Sequence, residues 1–133
     1  MDESFDWQTA LSSSALPISR IRYHATAGRS IIEGMSFGIL FVMAWWSGPA
    51  RQAWHRLTEV VAKLDPDAVA EFVVVDTDGC PELYAMSELA GLLGGWGEVA
   101  WVARGKVVAY SGPGFHPESF TPITRTFLAK GRA

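Results

Sequence analysis

Cysteine is nearly absent from this chain. A single thiol, Cys80, stands in 133 residues, which excludes an intramolecular disulfide and any zinc site built from several cysteines. Charge is sparse as well: 11 basic and 14 acidic side chains leave a net charge of −3, with none of the basic excess that nucleic-acid binding uses. Long hydrophobic runs are also missing. The most apolar stretch, Gly38 to Trp46, falls far short of the ~20 residues a membrane span needs, and it ends in the turn sequence Ser-Gly-Pro, so it reads as a buried strand. The first residues, Met1-Asp-Glu-Ser-Phe-Asp, are acidic, the wrong sign for a secretory leader. The histidines His24, His55 and His116 lack metal-ligand spacing, and Asp76-Thr-Asp78 fails as a calcium loop because Pro81 stands where glycine is required. The expectation is a cytoplasmic protein with no metal or cofactor and no nucleic-acid or membrane partner.

What is present suffices for a core. Hydrophobic residues make up 49% of the chain, six of them Trp, and a chain of this length buries roughly two-thirds of its unfolded surface without a staple. Residues 1–17 read as an N-terminal helical extension, with Trp7 and Leu11 on one face and Ser12-Ser13-Ser14 and Pro17 ending it, packed loosely on a domain spanning 18–133.

Within that domain Ser19, Ile21 and Tyr23 alternate with Arg20, Arg22 and His24 as in a half-buried strand. A short helix is expected within Thr26–Gly34, with Ile31 and Ile32 inward, then a central strand from Ile39 to Trp46. Ala50, Ala53, Trp54, Leu57, Val60, Val61 and Leu64 recur at helical spacing, with Pro49 at the first helical position and Asp65-Pro66 as the stop. Glu71–Asp76 reads as a second buried strand, and a helix follows from about Pro81 to Leu93. Glu98–Ala103 and Lys106–Ser111 flank Arg104-Gly105 as a tight hairpin. Gly112-Pro113-Gly114 is a loop before a last helix from about His116 to Lys130, stopped by Gly131. The order β-α-β-α-β-α-β-β-α implies an α/β fold: a mixed sheet with helices on both faces.

This order, together with Trp46-Ser47-Gly48-Pro49-Ala50-Arg51 between strand and helix, resembles the thioredoxin family and its Trp-Cys-Gly-Pro-Cys-Lys motif. The resemblance runs from about Ile18 to the C-terminus and includes Asp76 at the end of the next strand and Ala103-Arg-Gly-Lys-Val as the hairpin. It implies a thioredoxin-like fold, and the departures from it bear on activity. Ser47 and Ala50 stand at the two cysteine positions, and thiol–disulfide exchange needs both an attacking thiolate and a resolving sulfur. Phe41 aligns with the family's buried aspartate, and Gly97 with its cis-proline, within a remade Gly94-Gly95-Trp96-Gly97 loop. Engineered loss of two cysteines would account for Ser47 and Ala50 but not for Phe41 and Gly97.

The resemblance therefore implies a redox-inactive, chaperone-like module that binds a protein or peptide partner. Its expected binding rim comprises Trp46, Ser47, Gly48, Pro49, Trp96 and Gly97, with Ser47 capping the helix and the two Trp flanking the turn. The same rim would serve a homodimer. Gly114-Phe115-His116-Pro117 is similar to redox-inactive members that act as maturation chaperones for hydrogenases. Two alternatives stand beside this reading. Cys80 opens a helix within Asp78-Gly79-Cys80-Pro81, where a helix dipole favours thiolate, so it is the candidate reactive thiol of a single-cysteine oxidoreductase; its bland role is a small buried residue. The other alternative is a structural subunit of a larger complex.

Overall fold

The computed structural model describes residues 7–12, 14–84, 95–111 and 115–132. Its elements in chain order are α1 (Trp7–Leu11), β1 (Ile21–His24), α2 (Ser30–Glu33), β2 (Phe37–Met43), α3 (Gly48–Leu64), β3 (Glu71–Asp76), α4 (Pro81–Tyr84), β4 (Val99–Ala103), β5 (Lys106–Tyr110) and α5 (Phe120–Arg132). The helix expected to reach Leu93 lies outside the described residues beyond Tyr84, as do Met1–Asp6, Gly94 and the loop Gly112–Gly114.

One five-stranded sheet has the order β1-β3-β2-β4-β5. β3 pairs in parallel with β1 (Ile21 opposite Phe72) and with β2 (Ile39 opposite Phe72), while β4 runs antiparallel to β2 and to β5. The fold is thus α/β with a mixed sheet. Period-two alternation assigns side chains to two cores. Ile39, Phe41, Met43, Phe72, Val74, Val99 and Trp101 pack with α3 and α5 on one face. Leu40, Val42, Val73, Val75, Ala100 and Val102 pack with Ile32 and Leu83 on the other. Strands sandwiched in this way must be apolar in nearly every position, which is why FGILFVM and EFVVVD read as continuous runs. Each Leu, Val or Phe fully withdrawn from water contributes about 1.5–3 kcal/mol before the entropy of ordering it is set against it.

The structure corrects several boundaries. A 3-10 turn over Ile18–Arg20 precedes β1, because Arg20 leaves the sheet to pair with buried Asp65 at the end of α3 (2.7 Å). Asp65 also accepts the backbone N–H groups of Val69 and Ala70, both at 2.9 Å, so one carboxylate stops α3 and shapes the loop to β3. β2 ends at Met43, and Trp45-Trp46 form a turn where the apolar run predicts strand. Pro49 takes the second helical position, not the first, because Ser47 is the cap. α5 continues through Gly131 to Arg132. Gly131 is there for packing: the Phe37 ring, stacked on Phe127 at 4.1 Å, occupies the space a Cβ would need. The N-terminal helix is not loosely attached, since Leu11 and Leu16 are buried in the same core as α3.

Candidate functional site

The end of β2, the start of α3 and the approach to β4 meet at one pole of the sheet. After buried Ala44 the chain turns through Trp45 and Trp46, and Ser47 N–H donates to the Ala44 carbonyl at 3.0 Å. Ser47 is extended (φ −105°, ψ 122°), the conformation of an N-cap, and its Oγ accepts the Ala50 N–H at 3.2 Å. Gly48 and Pro49 follow as the first two helical residues, with Ala50 fully buried beneath them. The Ser47 hydroxyl is therefore engaged as a cap, and the position of Ala50 is filled by core.

The two neighbouring tryptophans part company here. Trp45 folds inward, its indole N–H donating to the Tyr23 hydroxyl at 3.3 Å, and Tyr23 in turn stacks on Trp7 at 5.1 Å. Arg51 Nη1 donates to the Trp45 carbonyl at 2.7 Å and pins the turn to α3. Trp46 faces outward, 65% exposed.

The loop before β4 closes over this turn. Gly95 (φ +81°) lies directly against the Trp46 indole, so that a Cβ there would enter the ring. Trp96 is 44% exposed, and its N–H donates to Glu98 Oε2 at 3.3 Å. Gly97 (φ +84°) seats its backbone on α3; a Cβ there would lie 2.7 Å from Ala53 Cβ and 3.0 Å from Ala50 Cα. Only glycine tolerates both that dihedral and that approach. All six rim residues named from the sequence thus stand on the two segments that meet here, Trp46–Pro49 and Trp96-Gly97. Phe41, beneath them, is fully buried with its ring edge-on to Trp54 at 5.4 Å.

Cys80 is not part of this assembly. It belongs to the opposite core, across the sheet from Ala50, and is fully buried. Burial first, and then the Asp76 and Asp78 carboxylates, push its thiol up to about 11, the opposite direction from the shift a reactive thiolate needs. The short turn that precedes it is organised by Asp76, whose side chain accepts the Asp78 N–H at 2.9 Å.

One residue at the rim's base had no signal in the sequence. Glu98 is fully buried, its carbonyl accepting the Val42 N–H at 2.9 Å while its carboxylate accepts from Trp96. In the sequence it is only the polar first residue of an expected strand. Tyr110 is raised by burial and by Glu98. Among the described residues no group of three His, Cys, Asp or Glu side chains is placed to hold a metal ion, and no helix is long and apolar enough to cross a membrane.

No family model matches the chain, and no curated protein sequence does. Solved structures do. Thioredoxin 2 from Pseudomonas aeruginosa PAO1 in its reduced form superposes with a TM-score of 0.63 at 18% identity, covering 82% of this chain and 96% of that one. Schistosoma mansoni thioredoxin gives 0.61 at 19% identity over 86% and 99%, and reduced desulfothioredoxin from Desulfovibrio vulgaris Hildenborough gives 0.60 at 18% identity over 80% and 95%. The chain therefore has a thioredoxin-like fold.

Proposed function

We propose that this thioredoxin-fold chain is a non-catalytic, chaperone-like module that binds a protein or peptide partner through the rim of Trp46, Ser47, Gly48, Pro49, Trp96 and Gly97. The observation that carries this reading is a rim bearing two exposed tryptophans and no sulfur, with the single thiol buried across the sheet. Exposed Trp beside a rigid turn is the composition of an interface hot spot, where one truncation costs 2 kcal/mol or more of binding, about thirtyfold or more in affinity. Ser47 and Ala50 can neither form nor resolve a mixed disulfide. A cytoplasmic setting and a role as maturation chaperone, the latter from the Gly114–Pro117 resemblance, are narrower forms of the same reading.

Two measurements test it. Insulin reduction by the chain and by Cys80→Ser is expected at the uncatalysed rate in both; turnover that Cys80→Ser abolishes would overturn the reading in favour of a single-cysteine oxidoreductase. Trp46→Ala and Trp96→Ala are each expected to reduce recovery of a co-purifying partner at least tenfold, and unchanged recovery would move the interface elsewhere. Light scattering on the same variants separates a foreign partner from self-association, because a dimer dissociated by Trp46→Ala would make the rim a homodimer contact.

A further inference from the structure

A second surface lies at the other end of the sheet. β2 separates the two, running from Phe37 to Met43, roughly 20 Å at ~3.3 Å per residue. β5 is the last strand in the sheet order, and among the described residues no strand pairs with its outer edge. Such an edge presents main-chain donors and acceptors in a row. Its start is held fixed, because the hairpin turn donates from Arg104 N–H to the Ser36 carbonyl (2.7 Å) and from Gly105 N–H to the Met35 carbonyl (2.8 Å). A register shift between Trp101 and Val102 breaks the β4–β5 ladder, and Val108 is left 57% exposed.

Between β5 and α5 runs an open groove of about 1210 Å³. Its apolar wall is the stacked Phe37–Phe127 pair with Ile123 and Val108. Its charged members are Arg104, Lys106 and Lys130, and no carboxylate lines it among the described residues. That is three cations and no anion in a chain whose acidic side chains outnumber the basic ones 14 to 11. A groove of one sign with low-dielectric walls focuses its field on the opposite charge. We propose that this groove and the β5 edge bind an acidic, extended peptide segment of a partner protein, which adds a strand to β5 and turns alternate side chains into the groove, the apolar ones seated on Phe37, Ile123 and Val108 and the carboxylates set against Arg104, Lys106 and Lys130. Strand addition supplies affinity through the main chain and specificity through alternate side chains. A second copy of this chain does not suit the site, because symmetric pairing would set the same three cations of each copy into one interface. This surface is separate from the tryptophan rim and stands whether or not the rim reading does.

The test uses the full chain and a fluorescein-labelled Glu-Thr-Val-Thr-Glu-Thr-Phe-Thr-Glu peptide, which sets Glu, Val and Phe on one face of an extended strand, in an anisotropy titration. Saturable binding that weakens as salt is raised is expected, with at least a tenfold loss in Lys106→Glu/Lys130→Glu and in Val108→Asp. No change is expected in Trp46→Ala/Trp96→Ala. Amide hydrogen exchange along Lys106–Tyr110 should slow when the peptide is bound. Equal binding by the charge-reversal variant, equal binding of the peptide with Lys in place of Glu, or loss of binding in the tryptophan variant would each overturn the proposal. So would laurate binding that depends on the same lysines while the peptide leaves β5 exchange unchanged, which would assign the groove to an anionic amphiphile.

Discussion

Replacing Gly97 with alanine tests how the rim is built. Two separate penalties follow from its position. An L-residue held at φ +84° pays about 1–2 kcal/mol for the left-handed conformation. The added Cβ would also meet Ala53 Cβ at 2.7 Å and Ala50 Cα at 3.0 Å. Both atoms belong to the α3 framework, so no rotamer change relieves the contact, and overpacking of this kind costs about 1–3 kcal/mol. Gly97→Ala is therefore expected to destabilise by about 2–5 kcal/mol, which at a urea m-value of ~2 kcal/mol per M lowers the midpoint by about 1–2.5 M. Gly48→Ala is the control: its φ is ordinary and the nearest atom to its new Cβ, Arg51 Nη2, is 4.0 Å away, so a change within about 0.5 kcal/mol is expected. The assay is urea unfolding followed by far-ultraviolet circular dichroism, with m required to stay constant. A Gly97→Ala midpoint within experimental error of the Gly48→Ala midpoint would refute the argument that the loop is seated on α3. Proline at position 97, with φ locked near −65°, is expected to be worse than alanine for the same reason.

Three further outcomes are expected. Asp65→Ala leaves Arg20 without its carboxylate and two loop N–H groups without their acceptor, so it should destabilise by about 3–5 kcal/mol in urea, and Asp65→Asn by less. Gly131→Ala forces the Phe37 ring off its place on Phe127 and should cost about 1–3 kcal/mol, relieved in part by Phe37→Leu. Cys80 should react with Ellman's reagent only after unfolding. Its folded pKa lies above its unfolded value, so its contribution to stability is complete below the unfolded pKa of ~8.5 and is lost as pH rises through about 11; the wild type should lose stability relative to Cys80→Ala across that window, and a flat difference would refute it.

Where local pattern and burial agreed, the elements could be read directly from the letters. Glu71–Asp76 has the bounds its apolar run implies, and the buried stripe of α3 follows its 3.6-residue period. Thr58 escaped because a polar letter sits on that stripe; its hydroxyl donates to the Trp54 and His55 carbonyls at 3.0 Å and so enters the core satisfied. Trp45 and Trp46 read as strand because they continue an apolar run, yet the Ser47 cap forces the turn ahead of it. Gly131 reads as a helix stop because its constraint, the Phe37 ring, lies far away in sequence. The same limit applies to the site. Turn chemistry marks Ser47-Gly48-Pro49, whereas the contact of Gly95 with Trp46 and the buried carboxylate of Glu98 arise only when distant segments meet.

The Ser47 cap has a consequence for regulation. A thiol pair at this turn would give the surface two chemical forms, selected by the redox poise of its surroundings. Here the helix start is closed by a hydroxyl that neither ionises nor oxidises to a bridge, and none of the other rim side chains titrates near neutrality. The turn therefore carries neither a thiol switch nor a side chain that changes charge near neutral pH. Under the proposed binding function, control over engagement would fall to the abundance and folding state of the partner.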